Sequence, residues 1–417
     1  MQTDTKSRPV AFDRRRIYRP FLDRLNPIAS LRGLTDGDLI VLRDSDPRDA
    51  SQPPIHVAFA GSAELSRGTQ MALVGGIGSG KTTEMLLTHR LLGRHSDAIN
   101  IFVDLADYTD LSAINTGAIL ATVGMRLYSH LKKVGKEPSD EQKSAHTTLR
   151  ELAFGKTTWV EVEDHGEYDE GPEMIRVDLP GVMRLRFPAL RREVKVIKEL
   201  LLSIAAPLLE DDAQITLLID GLDRLIRADR FREFAEQDLQ ALRGTKMTAI
   251  IVAPLLLWYD EGRFLQEYFD LVKHIPAAAA NPQDSAFLRQ VLERRGASEL
   301  MDRMDINALA KHSGGVLRDL LTLARAAAEY AYRDDKDRIG HQHASAAIRQ
   351  LGNRYLVGLG TNHKRLLTRL SSFGEFPTAD STARELLVNR QVLEYFKGGR
   401  EFFAVHPALA RVLPKPA

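Results

Sequence analysis

The sequence predicts an α/β chain: a parallel sheet flanked by helices, then an all-α segment, then a small α+β module. Three observations carry this. Short apolar runs at 71–74, 100–105, 215–219 and 247–253 alternate with stretches of helical spacing. Several of those runs are apolar on both faces, as strands covered by two helical layers are. Beyond residue 285 the spacing is helical throughout, until alternating apolar residues close the chain.

Taken in order, residues 1–55 read as a basic leader punctuated by Asp44-Ser45-Asp46-Pro47 and Pro53-Pro54, and 56–275 as the main α/β core. The run 71–74 enters a glycine-rich stretch, and 82–92 has helical pattern. The strand at 100–105 is followed by helical spacing over 112–134, through Ile114, Ile119, Leu120, Val123, Leu127 and Leu131. Between about 138 and 190 the pattern breaks, with alternation at 157–164, a turn at 166–172 and alternation again at 174–179. That reads as an inserted acidic β-hairpin. Helical spacing resumes over 191–209, before the strands at 215–219 and 247–253. Residues 276–340 read as a helical lid and 341–417 as the terminal module.

The 417 residues, 44% apolar and 27% charged, suit two or three folded domains and exclude wholesale disorder. With no cysteine, a disulfide framework, a cysteine zinc site and thiol catalysis are excluded, which fits a reducing cytosol. The start is broken by Asp4, Asp13 and Arg14-Arg15-Arg16, so no secretory signal is expected. The most apolar run, 249–259, is about half the length a bilayer needs. A soluble, cytoplasmic protein with no membrane partner is expected.

Gly75-Gly76-Ile77-Gly78-Ser79-Gly80-Lys81-Thr82 fulfils G-x-x-x-x-G-K-[ST] between a strand and a helix. Glycines let backbone N–H groups converge on phosphate oxygens, and the helix N-terminus adds partial positive charge. In that chemistry Lys81 bridges the β- and γ-phosphates of ATP and the Thr82 hydroxyl ligates Mg²⁺, with Thr83 beside it. A second acid must hold the metal. Asp220-Gly221-Leu222-Asp223 supplies it at the end of the strand at 215–219, where ligands gather in open α/β sheets. Asp220 would hold Mg²⁺ through water, and Asp223 would orient or deprotonate the attacking water.

These residues resemble the AAA+ and STAND branch of P-loop ATPases, whose Walker B strand commonly ends in Asp-Gly-hydrophobic-Asp. Asp220 to Arg224 resembles the STAND form and also KAP-type ATPases, and Gly78-Ser79-Gly80-Lys81-Thr82-Thr83-Glu84 resembles the loop of prokaryotic STAND-like ATPases. Ser313-Gly314-Gly315-Val316-Leu317-Arg318-Asp319-Leu320 is similar to the sensor-2 motif, which implies that Arg318 meets the γ-phosphate as the lid closes. Three departures stand out. Gly221 occupies the usual Walker B glutamate position, so hydrolysis would rest on Asp223 and be slow. The strand at the sensor-1 place ends Val252-Ala253-Pro254 without a polar residue. Arg224, Arg227, Arg230 and Arg263 remain equal candidates for an arginine finger.

In the terminal module, helices are expected at 342–357, 361–372 and 380–388. A hairpin follows, with Lys397-Gly398-Gly399-Arg400 as a four-residue tip. The order resembles a winged helix. Lys397, Arg400, Arg384 and Arg390 are its candidate DNA contacts, against the alternative of a packing or autoinhibitory module. No His-Glu-x-x-His or Gly-x-Ser-x-Gly is present.

The resemblance implies an ATP-driven switch that self-associates in its ATP state. Its output would come from a separately encoded effector, in a role such as bacterial antiviral defence. The alternative is a DNA-binding loader or initiator whose ATPase gates nucleic-acid engagement. A small-molecule kinase is a third reading, for which lid and tail are superfluous.

Overall fold

The computed structural model describes residues 11–26, 39–94, 98–108, 111, 114–162, 173–179, 191–210, 214–225, 231–233, 235–260, 262–277, 282–397 and 399–413. Along the chain run α1 (Ala11–Arg24), α2 (Ile55–Leu65), β1 (Gln70–Gly75), α3 (Lys81–Leu92) and β2 (Ala98–Asp104). Next come α4 (Ala118–Lys133), α5 (Asp140–Phe154), β3 (Lys156–Val162), β4 (Glu173–Leu179), α6 (Arg191–Glu210), β5 (Gln214–Asp220), β6 (Thr248–Ala253) and β7 (Leu271–Ile275). The rest is α7 (Pro282–Glu293), α8 (Arg303–His312), α9 (Leu317–Arg333), α10 (His341–Leu356), α11 (Thr361–Phe373), α12 (Ser381–Val388), β8 (Val392–Lys397), β9 (Arg400–Val405) and α13 (Pro407–Ala410). No helix among the described residues is long and apolar enough to cross a membrane.

The chain divides into two compact units. One comprises 56–74 and 85–273, the other 1–55, 75–84 and 274–417. They are called here the sheet unit and the helical unit.

The five-stranded sheet has the order β2-β5-β6-β1-β7. Pairing is parallel from β2 to β5, β5 to β6 and β6 to β1. β1 and β6 are buried along their whole length, as the doubly apolar runs predict. In the sheet unit, Val103, Leu217, Ile219 and Ile251 share one core with Ile119 and Leu127 of α4, Leu149 of α5 and Leu201 of α6. β3 and β4 pair antiparallel as the expected hairpin, in a separate two-stranded sheet. The turn expected at 166–172 lies outside the described residues, as do Arg227 and Arg230.

The sequence reading is corrected at four elements. The stretch from 138 is not patternless. It holds α5, opened by a capping box in which Ser139 Oγ accepts the Gln142 N–H and the Gln142 side chain accepts the Ser139 N–H. β7 is a fifth strand that the sequence reading missed. α2 was missed as well. The leader is no appendage. Tyr18, Phe21 and Leu25 of the α1 region are buried, Tyr18 Oη donates to Lys336 O, and Arg325 donates to Leu22 O.

In the helical unit α9 buries Leu320, Leu323, Ala324, Ala327, Ala328 and Ala331 on one face. Its alanine stripe lets neighbouring helices approach closely, while Leu320 and Leu323 fill the gaps. In the terminal module β8 pairs antiparallel with β9, and Lys397 pairs Arg400. The strands therefore reach Lys397 and Arg400, which the sequence reading placed in a four-residue tip, while Gly398 lies outside the described residues.

Candidate nucleotide site

In the helical unit the glycine loop leads from the end of β1 into α3. Gly78 and Gly80 have φ of +84° and +109°, conformations that residues with a Cβ rarely adopt. At Gly78 space is excluded too, since a Cβ there would stand 2.7 Å from Arg318 Cβ. Lys81 opens α3 and is buried, and its Nζ donates to the carbonyls of Gly75 (2.8 Å) and Gly76 (2.7 Å). The ammonium is thus held over the loop's own backbone. Ser79 Oγ is buried and has no hydrogen-bond partner, a polar atom that suits an anion-binding loop. Thr82 and Thr83 follow in the first turn of α3, half-buried.

Arg318 is the second residue of α9 and is exposed, its Cβ against Gly78. The helical unit therefore brings together Lys81 and Arg318, 237 residues apart in the chain, around one loop. A narrow cleft runs beside the loop, walled by Val41, Pro47, Ile55, Ile275, Phe287 and Leu317, with Ser79 and Thr83 also on its lining. Arg43 and Glu84 also line the cleft, and it is so narrow that a planar base would have to widen it. The leader supplies Val41 and Pro47, held from the turn after α7 by Arg294 Nη1 to Ile40 O and Arg295 Nη1 to Leu39 O, both 2.9 Å. Burial pushes the Arg295 guanidinium down to about 10, where it stays charged at neutral pH.

In the sheet unit Asp220 ends β5, buried, and its Oδ1 accepts the Gly221 N–H at 2.7 Å. Gly221 has φ +100°, and a Cβ there would stand 2.9 Å from Asp104 Oδ1. Asp104 and Asp220 are register partners at the carboxyl ends of β2 and β5. A side chain at 221 is thus excluded twice, by conformation and by the neighbouring carboxylate. Asp104 was missed in the sequence because it reads as the polar end of a buried strand. Its only signal is an acid at the last position of an apolar run. Asp223 lies half-buried in a 3₁₀ turn, Leu222–Arg224. Thr82 in the helical unit offers a hydroxyl and Asp220 in the sheet unit a carboxylate, each an oxygen donor of the kind Mg²⁺ takes.

Two candidate DNA contacts are otherwise engaged. Arg390 Nη1 bonds Asp319 Oδ1 at 2.8 Å, and Arg384 donates to Thr378 O. Lys397 and Arg400 are exposed at the hairpin end. Of the described finger candidates, Arg224 is exposed and Arg263 is bonded to Glu267 at 3.1 Å.

No protein-family model matches the chain, and no curated protein does. Solved structures are similar in course. The Aeropyrum pernix ORC1 protein in complex with DNA aligns at TM-score 0.46 and 15% identity, over 94% of this chain and 96% of its own. Drosophila ORC bound to DNA gives 0.42 and 14%, over 97% and 93%. The Thermotoga maritima RuvB Holliday junction branch migration motor gives 0.39 and 11%, over 86% and 92%. At such identities and TM-scores the functional assignment has to come from the chain's own residues.

Proposed function

We propose that the chain is a Mg²⁺-dependent ATP-binding protein of AAA+ type that hydrolyses ATP and uses Arg318 to sense the γ-phosphate. The observation that carries this is the meeting of Lys81 and Arg318 at one glycine loop, with an apolar cleft beside it. Lys81 would neutralise the β/γ-phosphates. Thr82 and Asp220 would hold Mg²⁺, which supplies charge neutralisation across those phosphates. Asp223 would orient the attacking water, and Asp104 would share the strand-end position with Asp220. Val41, Pro47 and Phe287 would sandwich the base. Lys81→Ala tests the reading, with an expected affinity loss of about 1–3 kcal/mol for a charged hydrogen bond and its desolvation. An unchanged dissociation constant in calorimetry would reject it.

For the biological role, a DNA-engaging loader or initiator fits better than a switch acting on a separately encoded effector. The described chain ends in a helix-and-hairpin module with Lys397 and Arg400 exposed, alongside Lys364 and Arg365 of α11. These cations would meet phosphates, and self-association would follow ATP binding. Binding to random duplex DNA against salt is the test, a slope of several phosphates being expected. A flat response, with a partner protein recovered in the ATP state instead, would restore the effector reading, of which antiviral defence is one instance.

A further inference from the structure

We infer that Asp319 is the positioning residue through which the terminal module sets how strongly Arg318 favours ATP over ADP. The inference rests on the proposed role of Arg318. The two residues are consecutive in the first turn of α9, so they leave the helix about 100° apart. Arg318 faces the glycine loop at Gly78, whereas Asp319 is 3% exposed and faces the other way.

Asp319 is held by side chains from three separate elements. Arg390 Nη1, from the turn after α12, bonds Oδ1 at 2.8 Å, and Tyr355 Oη of α10 bonds Oδ2 at 2.5 Å. His406, the N-cap of α13, stands with Nε2 3.3 Å from Oδ2. His406 Nδ1 accepts the Ala408 N–H at 3.2 Å, so a neutral ring carries its proton on Nε2, towards the carboxylate. Tyr355 and His406 also pack ring on ring, with centroids 4.6 Å apart.

A backbone conformation and one further contact make the connection stiff. Arg390 has φ +62°, a conformation uncommon for a residue with a side chain, and it holds its guanidinium on Asp319 all the same. Tyr395 of β8 donates to Gly314 O at 3.0 Å, in the turn that leads to α9. The module therefore grips the start of α9 on both sides of Arg318. Any displacement of that turn towards a γ-phosphate must move the module or break these bonds. By linkage, whatever repositions the module must also change the preference of Arg318 for ATP.

The test uses the full chain, ADP and a non-hydrolysable ATP analogue with Mg²⁺. It measures both affinities by calorimetry and hydrogen exchange across 392–405. In the parent, exchange in β8 and β9 should differ between the two nucleotides. Asp319→Asn should abolish that difference and lower the ATP-to-ADP affinity ratio at least about fivefold, the lower range of measured couplings. Tyr355→Phe removes one bond while keeping the ring, and should shift the ratio the same way by less. It keeps the idea testable if Asp319→Asn fails to fold. A merely structural Asp319 would lower thermal stability and leave the ratio unchanged in both variants, which overturns the inference. Equal exchange with both nucleotides in the parent overturns it too, while leaving the nucleotide site standing. A parent that binds neither nucleotide refutes the site itself, and the inference falls with it.

Discussion

Two buried aspartates, one in each unit, show how differently the same side chain can be kept in a protein interior. Asp238, in the sheet unit, sits in a π-helical turn (Ala235–Leu239). It accepts the N–H groups of Gly117 at 2.6 Å and Ile119 at 3.0 Å, at the start of α4. Asp319, in the helical unit, is held by Arg390, Tyr355 and His406. Burial pushes Asp238 up to about 7, although the backbone N–H groups of Gly117, Ile119 and Leu120 pull it back. Burial acts on Asp319 in the same upward direction. There the nearby His406 ring, the charge of Arg390 and the bond from Tyr355 overcome it and hold the carboxyl below its usual range. Backbone dipoles alone do not offset the loss of water for a full charge; an arginine cation, an imidazole and a phenol together do. The first arrangement closes the start of one helix through backbone N–H groups, and the second ties a helix start to side chains from three other elements.

The largest effect that would test this contrast is the loss of Asp319. Asp319→Ala leaves the partly buried Arg390 guanidinium without its carboxylate, a change that costs about 3–5 kcal/mol where such a pair is buried. Urea unfolding should show it as a fall in midpoint. A loss under about 1 kcal/mol, the range of exposed pairs, would mean that Arg390 simply turns to water and that the joint is weak.

How much of this was legible in the sequence depends on how far apart the cooperating residues lie. The glycine loop is contiguous, so the placement of Gly75 to Thr82 between a strand and a helix was legible, and the strand-end position of Asp220 followed from one apolar run. α5 was legible in principle, since Ser139 and Gln142 stand at capping-box spacing, but the acidic hairpin beside it dominated the pattern. α1 was hidden because Pro20 and a run of arginines interrupt the buried set Tyr18, Phe21 and Leu25. β7 was hidden by Lys273 and His274 in its middle. His274 is buried with its Nε2 3.0 Å from Glu394 Oε2, a partner 120 residues downstream. The cleft beside the glycine loop draws its lining from four stretches of chain, and Asp319 draws its partners from three. No local pattern records such meetings. They exist only after tertiary packing has selected them.

The pH response sharpens the comparison, because the two acids have opposite signs. Asp238 has a folded value raised above the unfolded one. Its contribution is therefore fully present below about pH 4 and is lost as pH rises through about 7. For a shift from 3.8 to about 7 the loss is on the order of 4 kcal/mol. Asp319 has a depressed folded value, so its contribution is present above about pH 4 and is lost as pH falls through the folded value. Asp238→Asn removes the first dependence, and the stability of the parent relative to this variant should decline between about pH 4 and 7. A difference that is flat over that window would show that the backbone N–H groups suffice to keep Asp238 ionised, and the contrast between the two sites would collapse.

The smallest expected effect concerns Arg318, the neighbour through which Asp319 would act on nucleotide. Only ATP offers a γ-phosphate, so a contact with it must discriminate between ATP and ADP. Arg318→Ala should cost about 1–2 kcal/mol more for ATP than for ADP, the scale of one charge-assisted hydrogen bond. An exposed arginine paired with a surface acid would instead contribute about 0–1 kcal/mol, equally for both nucleotides. The helix start should survive the change, because the packing of α9 rests on Leu320, Leu323 and its alanines rather than on residue 318. Both affinities are measured on both proteins, and the difference of differences is taken so that any general loosening of the loop cancels. A value near zero would detach Arg318 from the phosphate. Asp319 would then join the module to a helix end that senses nothing, and the two buried acids would differ in chemistry but not in purpose.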